Sequence, residues 1–374
     1  MLVPRTCTPP DRITRAVRWG AGSALDAGIV ITTTTGRWLI GVCLALGLLV
    51  VALPMGTGVP WASAWSVVAA VPALELVGLV GLWALGLVSH TITLTAALPS
   101  LTHRRALTLS LTGSAVANVL PLGGAAGIAL NGRMARTWGY GADQFAAFTV
   151  ITNVWDVLAK LALPLTVVPA IAVATGVSMG PAFGPALLGS LGLVLVCGVV
   201  VAVLSRASAA SWIGGLLERC VLGLLRIVRS PRRVRLRPAL IDLQASCSSL
   251  VRTRWMRLSL GMVLYTTLLF VLLWACLAVT GAALAPTVVL VGFAVERLLT
   301  LAGLTPGGAG VVEVGLTGAL VALGGAPASV VAGVLLYRAL TYGLEIPVGG
   351  VGLAVWLWLR RGARVGSVTG EAVA

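Results

Sequence analysis

The chain has 374 residues, of which 58% are hydrophobic and only 10% charged, and its mean hydropathy is +1.03. A soluble domain carries about 25% charged residues, so these values exclude an ordinary soluble protein and indicate a polytopic membrane protein. The net charge of +15 comes from arginines grouped between apolar stretches, the positive-inside pattern of cytoplasmic loops rather than a nucleic-acid-binding surface.

Residues 1–37 carry Arg5, Arg12, Arg15, Arg18 and Arg37 around a weak segment containing Asp26 and a Thr32–Thr35 run. That pattern is not a signal peptide and is expected to be a cytoplasmic tail. A helix needs about 20 apolar residues to cross a bilayer. On that measure the first membrane half, 38–205, holds candidate spans at 38–54, 66–89, 143–165 and 183–205. The second half, 258–359, holds them at 258–280, 284–302, 308–325 and 329–359. The expected fold is an all-α polytopic membrane protein with about eight transmembrane helices. An even number of spans places both termini on the same side, and the arginines place that side in the cytoplasm.

One apolar stretch does not fit that count. Residues 106–132, "ALTLSLTGSAVANVLPLGGAAGIALNG", are flanked by His103–Arg105 on one side and by Arg133 and Arg136 on the other. A single crossing would carry one basic flank to the outside. A re-entrant hairpin that breaks at "NVLPLGGAAG" satisfies both flanks, and such a break is tolerated only against protein or a water-filled cavity.

The next span contains the chain's one lysine. Thr149, Asn153, Asp156 and Lys160 are spaced 4, 3 and 4 apart, which places them on one helix face. A charge at mid-membrane costs about 2.5–3.5 kcal/mol on insertion scales. The acid lies four residues before the base, the favourable order for a helical pair. Asp156 and Lys160 are therefore expected to offset each other at an internal polar cavity between the halves.

Residues 206–257 hold eleven arginines against Glu218 and Asp242. Within them Trp212, Ile213, Leu216, Leu217, Val221, Leu224, Leu225 and Val228 recur at helical spacing. This basic amphipathic loop suits the anionic cytoplasmic leaflet, so membrane lipids are the expected partners. A second Gly-rich break, 303–310, falls within "LAGLTPGGAGVVEVGL". Pro306, Gly307 and Gly308 echo Pro121, Gly123 and Gly124. Matched interruptions in two halves point to a repeat-built transporter, here an inverted repeat. Around the second break lie Glu296, Arg297, Glu313, Arg338 and Glu345. With Glu75 and Asp156, five of the chain's eleven acids fall in apolar spans. They act either as helix-to-helix clamps or as the lining of a substrate path. Residues 360–374 form a second basic tail.

The six cysteines are scattered, and the only histidines are His90 and His103, so no metal site or cofactor is expected. No Walker motif provides for ATP hydrolysis.

The stretches "SAVANVLPLGGAAGIALNGRMARTWGY", "TNVWDVLAKL", "ERLLTLAGLTPGGAGVVEVGLTGALVALG" and "YRALTYGLEIPVGG" resemble the flippase-like transmembrane region of lysylphosphatidylglycerol synthases. The resemblance covers roughly residues 38 to 359. Pro306, Gly307, Gly308, Gly310 and Glu313 match the family's P-G-G-x-G-x-x-E pattern, and Arg338 matches its later tyrosine-arginine. Asn118 and Pro121 match N-x-x-L-P. Arg133 follows at a matching place, and Asp156 matches an acid in the next span. After the first proline, family members often carry an arginine and a Gly-Glu, where this chain has "LGGAAG". The resemblance implies lipid translocation in a bacterial plasma membrane, and it does not single out lysylphosphatidylglycerol as cargo. With no synthase domain in these residues, the chain is not expected to be an enzyme, and a separate lipid-synthesising enzyme is an expected partner.

The leading reading is thus a flippase for a polar-headed amphiphile. Arg133, Arg297, Arg338 and Lys160 are candidates to hold a phosphate. Asp156, Glu296 and Glu313 are candidates to balance those cations, accept a basic head or carry a coupling proton. An intramembrane lipid-modifying enzyme and a non-transporting subunit of an envelope-synthesis complex are the alternatives. Against the enzyme stands the absence of metalloprotease and serine-hydrolase motifs.

Overall fold

The computed structural model describes residues 42–120, 123–175, 236–301 and 305–370, with a few isolated positions between 188 and 212. The N-terminal tail, Pro121, the body of the expected 183–205 span and residues 213–228 of the amphipathic segment lie outside the described residues. All elements described are helices.

The first is α1, Val42–Thr57, joined at a 94° bend to α2, Trp61–Ala69. Gly58, with φ of 68°, supplies the left-handed residue that ends α1. Pro60 then leads into α2, and the Trp61 Nε1–H donates to the Val50 carbonyl across the bend at 3.2 Å. Next comes α3, Ala73–Ala97, bounded by Pro72 and Pro99. Glu75 lies in its first turn, exposed, where the helix dipole favours an acid.

Two helical hairpins follow the same plan. In the first, α4 (His103–Val119) and α5 (Gly123–Thr137) run antiparallel, with Gly113 against Gly127 and Thr112 against Met134. Glycine is required at the turn, because a Cβ on Gly123 would stand 1.9 Å from the Ala117 carbonyl oxygen. After it, α6 (Ala142–Thr175) carries the polar stripe.

The second half opens with α7, Leu236–Val279, a single 44-residue helix. It begins inside the stretch expected to be cytoplasmic loop, so residues 236–257 continue directly into the span. The second hairpin is α8 (Pro286–Leu301) and α9 (Val311–Ala322), joined by a short 3-10 turn at Pro306–Gly308. Last come α10 (Pro327–Arg338), a π turn at Ala339–Gly343, and α11 (Glu345–Gly370).

Among the described residues four segments are long and apolar enough to cross a bilayer: Ala73–Ala97, Ala142–Thr166, Ile241–Val279 and Pro327–Arg360. The bent α1–α2 pair would make a fifth. The protein is a multi-pass membrane protein. The stretches expected as separate spans at 284–302 and 308–325 differ from that expectation. Each is a short helix, and the two fold back on each other, with Gly292 against Leu316 and Leu320 and Gly315 against Leu299. The cause is local. Gly307 and Gly310 take left-handed φ values of 59° and 82°, which reverses the chain at the tip. At 16 and 12 residues the two helices are shorter than the roughly 20 a crossing needs, because the tip takes residues that hydropathy alone assigns to the arms.

Packing ties the halves together. α3 and α7 lie antiparallel over a long contact, with His90 stacked on Tyr265 and the Thr93 hydroxyl donating to the Leu258 carbonyl at 3.1 Å. An apolar core of Trp83, Leu273, Phe293, Leu316 and Tyr337 joins α3, α7, α8, α9 and α10. The hairpins lean on opposite units: α4 packs on α11, and α8 packs on α6.

The α4–α11 contact is close enough to need glycine. A Cβ on Gly349 would meet the Leu111 carbonyl oxygen at 2.1 Å and the Ala115 Cβ at 2.7 Å, whereas one on Gly350 would meet nothing within 4 Å. Gly349→Ala is expected to destabilise by about 1–3 kcal/mol and Gly350→Ala to be silent, as read by thermal unfolding in detergent.

Candidate functional site: a polar cavity between the two hairpins

A cavity of about 890 Å³ lies between the first hairpin, α6 and the tip of the second hairpin. That volume falls in the range of about 300–1,000 Å³ typical of small-ligand sites. α4 contributes Ser110, Ser114 and Asn118, and α6 contributes Thr149, Thr152, Asn153, Asp156 and Lys160. Gly123 and Gly124 line it from the start of α5, Thr305, Pro306, Gly307 and Gly308 from the second tip, and His90 from α3.

The polar stripe on α6 exists because Thr149, Asn153, Asp156 and Lys160 recur at 3.6-residue spacing and so turn one way. Lys160 Nζ donates to Asp156 Oδ2 at 2.7 Å. The lysine side chain is 19% exposed and the aspartate 40%, so this pair sits on a wettable wall. An exposed pair of this kind contributes about 0–1 kcal/mol to stability. The Asn153 amide donates to the Thr149 carbonyl at 2.8 Å.

Behind the wall the charges are arranged differently. The Glu313 carboxylate accepts from the Gly310 amide at 2.6 Å and from Arg338 Nε at 2.7 Å. Arg338 Nη2 donates to the Gly307 carbonyl at 3.0 Å, and the guanidinium lies 5.0 Å over the Tyr342 ring. Tyr342 Oη then donates to the Asn118 carbonyl of the first hairpin at 3.1 Å. One chain of polar contacts therefore runs from the second tip to the first. Both ionic side chains are buried, at 9% and 5% exposure, so their energy depends on complete satisfaction of each lone pair and proton.

A second buried cluster holds Glu296 and Arg297. The guanidinium curls back onto the neighbouring carboxylate through two hydrogen bonds, donates to Tyr337 Oη at 3.3 Å and lies 4.8 Å over the Phe293 ring. Glu345 is also buried, at the start of α11, which packs on α4.

Among the residues singled out from sequence, the structure gathers Asn118, Gly123, Gly124, Asn153, Asp156, Lys160, Pro306, Gly307 and Gly308 on the cavity wall. Glu296, Arg297, Gly310, Glu313 and Arg338 stand behind it, committed to protein partners, and Glu345 is buried there as well. Arg133 is exposed on α5 and does not line the cavity. Sequence reasoning missed His90, Ser110, Ser114, Asn131 and Thr152. For α4 a signal was present, since Ser110, Ser114 and Asn118 recur every four residues. Asn131 also stands out, because its Oδ1 is buried with no hydrogen-bond partner. Among the described residues no group of His, Cys, Asp or Glu is placed to hold a metal ion.

Residues 38–349 match the family described as the lysylphosphatidylglycerol synthase TM region. The chain belongs to this family. Lysylphosphatidylglycerol synthase TM regions are membrane-embedded and linked to lipid metabolism, and the match takes in both hairpins, the α6 stripe, Arg338 and Glu345. No curated protein matches the chain.

Within this TM region the Glu313–Arg338 pair is the structural clamp. Arg338→Met is expected to cost about 3–5 kcal/mol by stranding a buried carboxylate. The double variant Arg338→Met/Glu313→Gln is expected to recover part of that loss, as measured by thermal unfolding of the two singles and the double.

Proposed function

We propose that the protein is a flippase-like lipid transporter that moves a polar-headed amphiphile between the leaflets of a bacterial plasma membrane. The observation that carries this reading is the cavity between the hairpins, with the Asp156–Lys160 pair on its wall. A head group enters the polar cavity while its acyl or prenyl chains stay in lipid, so the membrane barrier to the head is removed without extracting the tails. Glycine at both tips lets backbone line the path at close range.

Element order supports an alternating mechanism. A long helix, a hairpin and a long helix occur as α3, α4–α5, α6 and again as α7, α8–α9, α10–α11. We read these as the two halves of an inverted repeat within about eight crossings, both termini cytoplasmic, and as the parts that rock about the cavity. On this reading the chain catalyses no covalent step, a separate lipid-synthesising enzyme supplies the cargo, and the basic stretch before α7, residues 206–235, rests on the anionic leaflet.

The test is leaflet exchange of labelled lipids in proteoliposomes. Wild type is expected to exchange at least one phospholipid or polyprenyl phosphate. Asp156→Asn and Lys160→Met are each expected to slow it about tenfold or more, equivalent to about 1.4 kcal/mol. Exchange that ignores both substitutions would leave the pair as a helix clamp. Failure of every lipid to exchange would favour an enzyme or an assembly subunit.

A further inference from the structure

We infer that the cavity takes a hydroxyl-bearing phosphoester head group without net positive charge, such as a glycerol or sugar phosphate, and rejects an aminoacylated, cationic one. The inference rests on the transport reading and concerns the class of cargo.

Charge is the first argument. Among the described residues, the ionisable side chains on the cavity wall are His90, Asp156 and Lys160. Asp156 is the only acid of the three, and Lys160 already holds it. The other buried acids do not line the cavity, and two are held by cations: Glu296 by Arg297, and Glu313 by Arg338 together with the Gly310 amide. A cationic head entering this space finds no free carboxylate and must compete with Lys160 for Asp156. Holding a desolvated ammonium without its own counter-charge is heavily unfavourable. A phosphate meets the opposite situation. Lys160 has three N–H donors, of which one goes to Asp156. The 15-residue helix α5 also starts on the cavity at Gly123 and Gly124, and its dipole favours an anion there.

Hydrogen-bond valence is the second argument. A threonine hydroxyl has one proton and two lone pairs. On this wall Thr149, Thr152, Thr300 and Thr305 donate their protons to the carbonyls of Phe145, Phe148, Arg297 and Ala309. Toward the cavity their oxygens only accept. The Asn153 amide gives one N–H to the Thr149 carbonyl, which leaves its oxygen and its second N–H for a ligand. The wall thus sets several threonine acceptors and the Asn118 and Asn153 side-chain amides beside one cation. Its complement is a group that presents several O–H donors next to a phosphate. A bare phosphate monoester would leave the acceptors unpaired.

The experiment uses the full chain in proteoliposomes with four tail-labelled lipids: phosphatidylglycerol, phosphatidylinositol, phosphatidic acid and lysylated phosphatidylglycerol. The two hydroxylated lipids are expected to exchange about tenfold or more faster than the lysylated one. Thr152→Val and Asn153→Leu each replace a polar group by an apolar one of similar size. Each is expected to slow the hydroxylated lipids about fivefold while leaving phosphatidic acid within about twofold of wild type. Lysylated lipid exchanging as fast as phosphatidylglycerol would overturn the inference and leave the transport reading standing. Equal slowing of all four lipids in both variants would also overturn it. Exchange of none would overturn both.

Discussion

Wherever a helix is broken inside an apolar medium, backbone N–H and C=O groups lose their partners, and lipid offers no replacement at a cost of several kcal/mol each. The second hairpin meets this constraint with side chains brought from elsewhere. Arg338 takes the Gly307 carbonyl, Glu313 takes the Gly310 amide, and the Thr305 hydroxyl takes the Ala309 carbonyl. The Arg338–Glu313 ion pair joins the first two contacts into one unit. Only because the tip is satisfied from behind can its glycines present bare backbone to the cavity in front.

This division of labour separates two ion pairs that look alike as sequence. Lys160–Asp156 and Arg338–Glu313 are each a base and an acid in an apolar span, with N–O distances of 2.7 Å. The first is part of a wettable wall, and its partners can be exchanged. The second is dry, bound on several sides and fixed. A planar guanidinium can bridge a carboxylate and a carbonyl and still lie over a ring, which suits it to the fixed role. The lysine presents a compact charge with donors to spare, which suits it to a ligand.

Much of this was legible in the residues. The all-helical membrane class follows from composition, and the α6 stripe follows from its 4-3-4 spacing. The glycines at both breaks marked the hairpin tips. The shortness of α8 and α9 was hidden, because apolar content runs on through the tip where the helices stop. It became visible only through the left-handed glycines at the tip. The clamping role of Arg338 was hidden too, since its partners lie on a different helix and at a backbone carbonyl. His90 reaches the cavity by the packing of α3 on α7, a tertiary fact with no local sequence mark.

The exchange of contacts between the two units bears on how the protein is made. α4 emerges early and α11 last, yet these two pack closely enough to require a glycine at Gly349. The first hairpin is therefore inserted long before its seat exists, and α6 likewise waits for α8. During that interval the lysine–aspartate pair must be carried within the helix itself, without the walls that later enclose it. The i, i+4 placement of the acid and the base makes α6 self-neutralising from the moment it leaves the ribosome.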